Sequence, residues 1–262
     1  MKLSGRIAEI TALQRGYVRH VIETVNGFDN VLYEISNENH PASTTWQYDM
    51  IRFIKDQEKA LPKQHPVGMT FQYKGGSNQT LFDSPADWIS PNPDGGYRTN
   101  PPAADGSKVI LLDTDHLWGE GGDSRWVWQS FLRGHNPIYM DRIVELSPDP
   151  RGDIKGAEAV RSAMGCIRRL AERLDLAHLT PHPELASSAF CLANPSRDYL
   201  VYQPKGGAVF SVELSAGTYR YEWFDAVKGE SLGKGSIQAA RGAGEFKIPF
   251  AGDAVLYLKA ER

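Results

Sequence analysis

The chain has 262 residues, 41% hydrophobic and 23% charged, enough to bury a sizeable core in one large domain or two smaller ones. Its formal net charge of -3, with Lys and Arg scattered rather than gathered into a stripe, argues against a nucleic-acid partner, and no apolar run approaches the roughly 20 residues that span a bilayer. The two cysteines, Cys166 and Cys191, are too few for a disulfide framework or a four-thiolate zinc site and are expected to be buried, inert thiols.

In chain order, Ile10, Leu13, Tyr17, Val18, Val21 and Val25 recur at helical spacing, with Asn26 and Gly27 as a C-cap. "VLYEIS" (31 to 36) then predicts a buried strand that runs into wholly polar residues, Ser36, Asn37, Glu38, Asn39 and His40. A helix is expected from Ser43, a good N-cap, through Trp46, Met50, Ile51 and Ile54 to Ala60. "HPVGMTFQY" (65 to 73) and the shorter "ADWIS" (86 to 90) read as strands, and "PNPDGGYRTNPPAADGS" (91 to 107) as a long loop. "KVILLDTDH" (108 to 116) is a continuous apolar run of the kind parallel sheets require. A helix over 124 to 134, a strand over 136 to 141 and a long amphipathic helix over 156 to 176 complete the alternation.

Near Thr180 the pattern changes to short alternating segments such as Phe210, Val212, Leu214 and Tyr219, Tyr221, Trp223, broken by Gly and Pro. The expected organisation is therefore α/β plus all-β. Residues 1–178 form part of a (β/α)8 TIM barrel, "LTPHPE" (179 to 184) is a linker, and residues 185–262 form a small antiparallel β-sandwich. Barrel closure needs eight strands and only five are legible, so the exposed edge of the half barrel predicts self-association.

The strand end "SNEN" resembles the fourth strand of a large clan of retaining glycoside hydrolases with (β/α)8 barrels, where an Asn-Glu pair supplies the acid/base. "VILLDTDHLW" sits where that clan's seventh strand carries its nucleophile, and "LLDTD" is similar to the ending of barrel glycosidases related to the apiosidase-like family. "YLVYQPKGGAVFSVELSAGTYRYEWFDAVKGE" (199 to 230) resembles the small C-terminal β-sandwich of those proteins, a module often labelled collagen-binding. The resemblance implies that the recognisable strands are about the fourth to the eighth and that the chain is N-terminally incomplete. About 150 further residues would hold three βα units and an export signal, making the full-length protein secreted or periplasmic. "MKLSGRIAEI" has no apolar signal core, so the localisation of the chain as given stays open.

Glycosidic cleavage needs one carboxylic acid to protonate the leaving oxygen and one carboxylate to attack or stabilise the oxocarbenium-like centre. Glu38 as acid/base and Asp115 as nucleophile meet that demand, although Asp115 is one methylene shorter than the clan's usual Glu. Asn37 would hydrogen-bond the sugar beside the attacked carbon, Asp113 and His116 would orient the nucleophile, and Tyr73, Trp88 and Trp118 would wall the subsites. His40 either contacts substrate or caps the following helix. The expected activity is that of an O-glycosyl hydrolase on a plant or microbial oligo- or polysaccharide, with no cofactor. The alternative is a non-catalytic carbohydrate-binding or surface-interaction protein with a relic half barrel. Asp113, Asp115 and His116, completed by Glu38 or His40, also permit a metal shell, though no two-histidine helix motif supports it.

Overall fold

The computed structural model describes residues 4–142, 152 and 154–261. The chain divides into two compact units, Met1–Asn92 with Gly106–Ile110, and Pro93–Asp105 with Leu111–Arg262.

The first unit runs through helix α1 (Ser4–Val25), strand β1 (Tyr33–Glu34), helix α2 (Thr44–Glu58), strand β2 (Val67–Thr70), the short helix α3 (Asn78–Phe82), strand β3 (Trp88–Ser90) and the opening residues of strand β4 (Val109–Asp113). Ile22 of α1 and Met50, Ile51 and Ile54 of α2 are buried, as their helical spacing requires, and the Trp46 indole N–H donates to Gln14 at 3.0 Å between the two helices. The strands pair in parallel, Tyr33 with Val67, Gly68 with Trp88 and Trp88 with Val109. All four residues of β2 are buried, as for a strand with neighbours on both sides.

The buried strand expected over 31 to 36 is corrected to two residues, with Leu32 58% exposed. Its composition suits a strand, but β1 ends the strand order and, among the described residues, lacks a neighbour on its outer side. Ser43 likewise makes no side-chain cap, because Pro41–Ser43 form a 3-10 turn ahead of α2.

At the amino-terminal end of β2, Glu58 and His65 form a buried ion pair. His65 Nδ1 lies 2.6 Å from Glu58 Oε1 and Nε2 lies 2.7 Å from the Phe28 carbonyl. Both partners accept, so both ring nitrogens carry protons. The hydrogen bond to Glu58 raises the His65 pKa against the opposing effect of burial. Burial by itself would raise the Glu58 carboxyl; hydrogen bonds from His65, Asn26 and Tyr33 outweigh it and hold that carboxyl below its ordinary range.

The second unit holds the 93–105 loop, the rest of β4, helices α4 (Thr114–Trp118) and α5 (Ser124–Leu132), strand β5 (Asn136–Ile138) and helix α6 (Ala157–Ala171). β5 pairs in parallel with β4, Leu111 with Asn136 and Asp113 with Ile138. The five parallel strands thus follow the order β1-β2-β3-β4-β5, and no pairing among the described residues joins β1 to β5. This is an α/β arrangement like part of a TIM barrel.

The chain continues in antiparallel strands β6 (Thr180–Pro181), β7 (Cys191–Asn194), β8 (Asp198–Gln203), β9 (Val209–Leu214), β10 (Gly217–Asp225), β11 (Ser231–Ala239), β12 (Gly242–Lys247) and β13 (Ala254–Ala260). Six of them form a sheet in the order β11-β10-β13-β8-β7-β6, and β12 pairs with β9. Tyr199, Val201, Trp223 and Leu256 from the sheet share one core with Phe210, Val212 and Phe246 from the pair. The segment expected as a linker, "LTPHPE", instead supplies the edge strand β6 and a 3-10 turn over Pro183–Leu185.

β8 is buried at every position rather than at alternate ones, because its second face packs on α5. There Trp128 stacks on Tyr202 at 6.2 Å and donates its indole N–H to the Ala226 carbonyl at 2.7 Å. Asp253, also buried, accepts from Arg125 of α5 through two nitrogens at 2.7 and 3.1 Å and from the Tyr202 hydroxyl at 2.8 Å. Cys166 and Cys191 are free and buried, and burial raises both thiols, Cys191 to about 12, which keeps them unreactive.

Candidate active site

Parallel strands deliver their carboxyl ends to one edge of a sheet, where ligand-binding loops gather. In the first unit that edge carries the loop after β1. Glu38 there adopts φ +48, the left-handed region that a residue with a Cβ rarely occupies. Thr70, buried as the last residue of β2, accepts from the Glu38 N–H at 3.4 Å, and its hydroxyl lies 3.1 Å from both the Glu34 carboxylate and the Ser36 carbonyl. One strand-end hydroxyl therefore supports the strained turn. Glu38 is half-buried and Asn37 exposed. His40 is exposed and takes the capping role: its Nδ1 accepts from the Ala42 N–H at 3.1 Å. Tyr73, beyond β2, is 53% exposed with Lys74 5.4 Å over its ring.

Trp88 is a core residue. It opens β3 at the amino-terminal end, is buried, and lies where a Cβ on Gly68 would come within 1.9 Å of its indole carbons. Burial against Gly68, which the sequence gives no means of pairing with it, removes Trp88 from the exposed aromatics.

In the second unit the corresponding edge follows β4. Asp113, the last residue of that strand, N-caps α4 by accepting from the Asp115 N–H at 2.9 Å. Asp115 lies in the first turn of α4 and is half-buried, so it is not an extension of the strand itself. Thr114, fully buried, accepts from the Met140 N–H at 2.7 Å, which ties the segment after β5 to the base of α4. His116 is buried and offers an imidazole next to the Asp115 carboxylate in sequence.

Gly119, at φ +82, ends the helix after Trp118. Trp118 is half-buried, meets Trp126 edge-on at 5.0 Å, and has Arg98 of the 93–105 loop 5.6 Å over its ring. Asp113, Asp115, His116 and Trp118 thus share one strand end and one turn of helix, while Asn37, Glu38 and Tyr73 lie beyond β1 and β2. Thr70 and Arg98 were not singled out from the sequence, since each is a common residue type whose partner lies 20 or more positions away.

No protein-family model matches the chain, and no curated protein matches it. Solved structures do resemble it. One described as a glycoside hydrolase superposes with TM-score 0.65 and 14% identity, over 94% of this chain and 68% of that one. A glycoside hydrolase family 5 protein from Bacteroides vulgatus ATCC 8482 gives TM-score 0.63 and 14% identity, over 94% of this chain and 66% of that one. A glycoside hydrolase family 30 subfamily 8 xylanase from Clostridium acetobutylicum gives 0.52 and 13%, over 95% and 72%. The chain thus spans about two thirds of the length of the first two. At these identities the likeness concerns the fold, and that fold is the one seen in glycoside hydrolases.

Proposed function

We propose that the chain belongs to a glycosidase of the apiosidase-like kind that cleaves a plant or microbial polysaccharide, with Glu38 as acid/base and Asp115 as nucleophile. The observation that carries this reading is the left-handed Glu38 at the carboxyl end of a parallel strand, held there by a buried threonine in a glycoside hydrolase fold. Strain of about 1–3 kcal/mol in a polar loop persists where the surroundings enforce it, and such positions cluster at active sites.

In the reaction, Glu38 gives its proton to the leaving oxygen as the bond to the anomeric carbon breaks. If the enzyme is retaining, Asp115 attacks that carbon, and Glu38 then takes a proton from the water that releases the sugar. This route needs the two carboxyl groups about 5–5.5 Å apart; an inverting enzyme would separate them by roughly 6.5–9.5 Å and use Asp115 as the base for water. Asp113 positions the Asp115 backbone through its cap. Asn37 would bind the neighbouring hydroxyl, and Tyr73 and Trp118 would offer ring faces to sugars. The antiparallel region serves as an accessory sandwich.

The full-length protein is expected to release reducing sugar from a polysaccharide panel, and Glu38→Gln or Asp115→Asn to cut turnover at least about a hundredfold. Unchanged rates in both variants would remove these residues from the mechanism. No step invokes a metal, so activity should survive EDTA; its loss would favour a shell built on Asp113, Asp115 and His116. A second reading, a non-catalytic carbohydrate-binding protein, draws support from the open strand order and predicts polysaccharide binding without release of reducing ends.

A further inference from the structure

Arg98 holds an unusual position for an exposed arginine. Its guanidinium lies 5.6 Å from the Trp118 ring centroid, and among the described residues it makes no hydrogen bond and no ion pair. Arg173 also stacks on aromatic rings, but it ends on the Glu222 carboxylate at 2.6 Å, and Arg133, over Phe190, donates to Asn100 at 2.9 Å. Each of those two guanidiniums has a polar partner, whereas among the described residues that of Arg98 has none.

The loop that presents Arg98 is well held. The Trp126 indole N–H donates to the Tyr97 carbonyl at 2.8 Å, and Thr99 and Asn100 both donate to the Gly96 carbonyl, at 3.0 and 2.8 Å. Trp126 in turn packs edge-on against Trp118 at 5.0 Å, so one buried indole fixes both the backbone beside Arg98 and the ring beneath it. Trp118 stands three positions after Asp115 in α4, a spacing that makes them neighbours on the helix surface.

We propose that Arg98 and Trp118 form a subsite for an acidic sugar, a uronate unit, beside Asp115; this deepens the glycosidase reading and rests on it. A tryptophan face stacks on the C–H face of a pyranose. A guanidinium near the outer limit of cation–π range is weakly held, so it can leave the ring for a carboxylate, which it binds in bidentate fashion. Asp113 and Asp115 would repel an anionic sugar at this edge, and a free guanidinium answers that repulsion. A neutral glycan would gain the stacking and leave the guanidinium in water.

The test uses the full-length protein and matched oligosaccharides, tetragalacturonate and a glucuronate-bearing xylotetraose, each with its carboxyl-reduced neutral counterpart. Affinity is read by calorimetry on the Glu38→Gln form and kcat/KM on the wild type. An acidic member of a pair should be favoured about tenfold or more. That preference should weaken with salt, vanish in Arg98→Gln and return in part in Arg98→Lys, while Trp118→Ala weakens both members. Equal affinity within both pairs, or a preference that survives Arg98→Gln, overturns the subsite even if neutral glycans are hydrolysed, in which case the glycosidase reading stands. Binding of an acidic member through Arg98 with no cleavage by the wild type upholds the subsite and overturns hydrolysis. Failure to bind any of the four overturns both.

Discussion

Glu38 is the residue where backbone and chemistry meet. With φ at +48 it holds a conformation that a Cβ makes costly, and the turn persists because Thr70 and the end of β1 define it. Glu38→Gly should therefore exceed Glu38→Ala in stability by about 1 kcal/mol, read by urea denaturation, although both lose the carboxyl. A Gly variant no more stable than the Ala variant would show that the left-handed turn carries no strain. The candidate position itself was legible, because Glu38 follows an apolar run and stands in an unbroken polar one. Its strain was not legible, since a dihedral depends on contacts with Thr70, 32 residues away.

At the scale of elements, the packing of β2 on β3 depends on a glycine. A methyl group on Gly68 would meet the Trp88 indole at 1.9 to 2.2 Å, and both are buried strand residues. Gly68→Ala is expected to cost about 3 kcal/mol or more, at the upper end of overpacking effects, measured as a lower urea midpoint with the slope unchanged. A shift under about 0.5 kcal/mol would mean that the indole repacks freely. The strand itself was readable from "HPVGMTFQY"; the reason for its glycine was not, because parallel pairing across a crossover leaves no trace in either segment alone. β1 shows the converse case: Val31, Leu32 and Ile35 have the composition of a buried strand, but position at the end of the order decides exposure.

At the scale of the whole molecule, two buried histidines impose opposite pH dependences. Burial lowers the His135 pKa to about 4, and the ring stays neutral with Nε2 donating to the Pro102 carbonyl at 2.6 Å. The unfolded chain binds that proton more readily, so stability falls as pH drops from about 6.5 toward 4, by about 3 kcal/mol at the lower end. His135→Gln should flatten this acid limb in denaturation scans; an unchanged limb would show that other groups control it. His65 works in the other direction. Its raised pKa gives a contribution present below the ordinary histidine value and lost as pH rises through the raised one. The first unit also exposes Ile10, Leu13 and Tyr17 along α1, with Phe28 and Leu32 exposed too. The 262-residue chain should therefore self-associate with rising concentration, and Leu13→Glu with Tyr17→Glu should reduce this; a monomer at all concentrations by light scattering would contradict it.

Local patterning alone determined the alternation of strands and helices through α6, the change to antiparallel segments near 180, the strand end at Asp113 and the polar loop after β1 that holds Glu38. These features follow from the period of apolar residues and from turn chemistry, which act over a few positions. Only the tertiary structure decided that β1 shrinks at the end of the strand order, that Trp88 is core, that Asp115 lies in the first turn of a helix, and that both faces of β8 are covered. Each of those outcomes depends on what packs against a residue from a distant part of the chain. Burial and strain belong to such pairs of segments, and a single segment does not encode its partner.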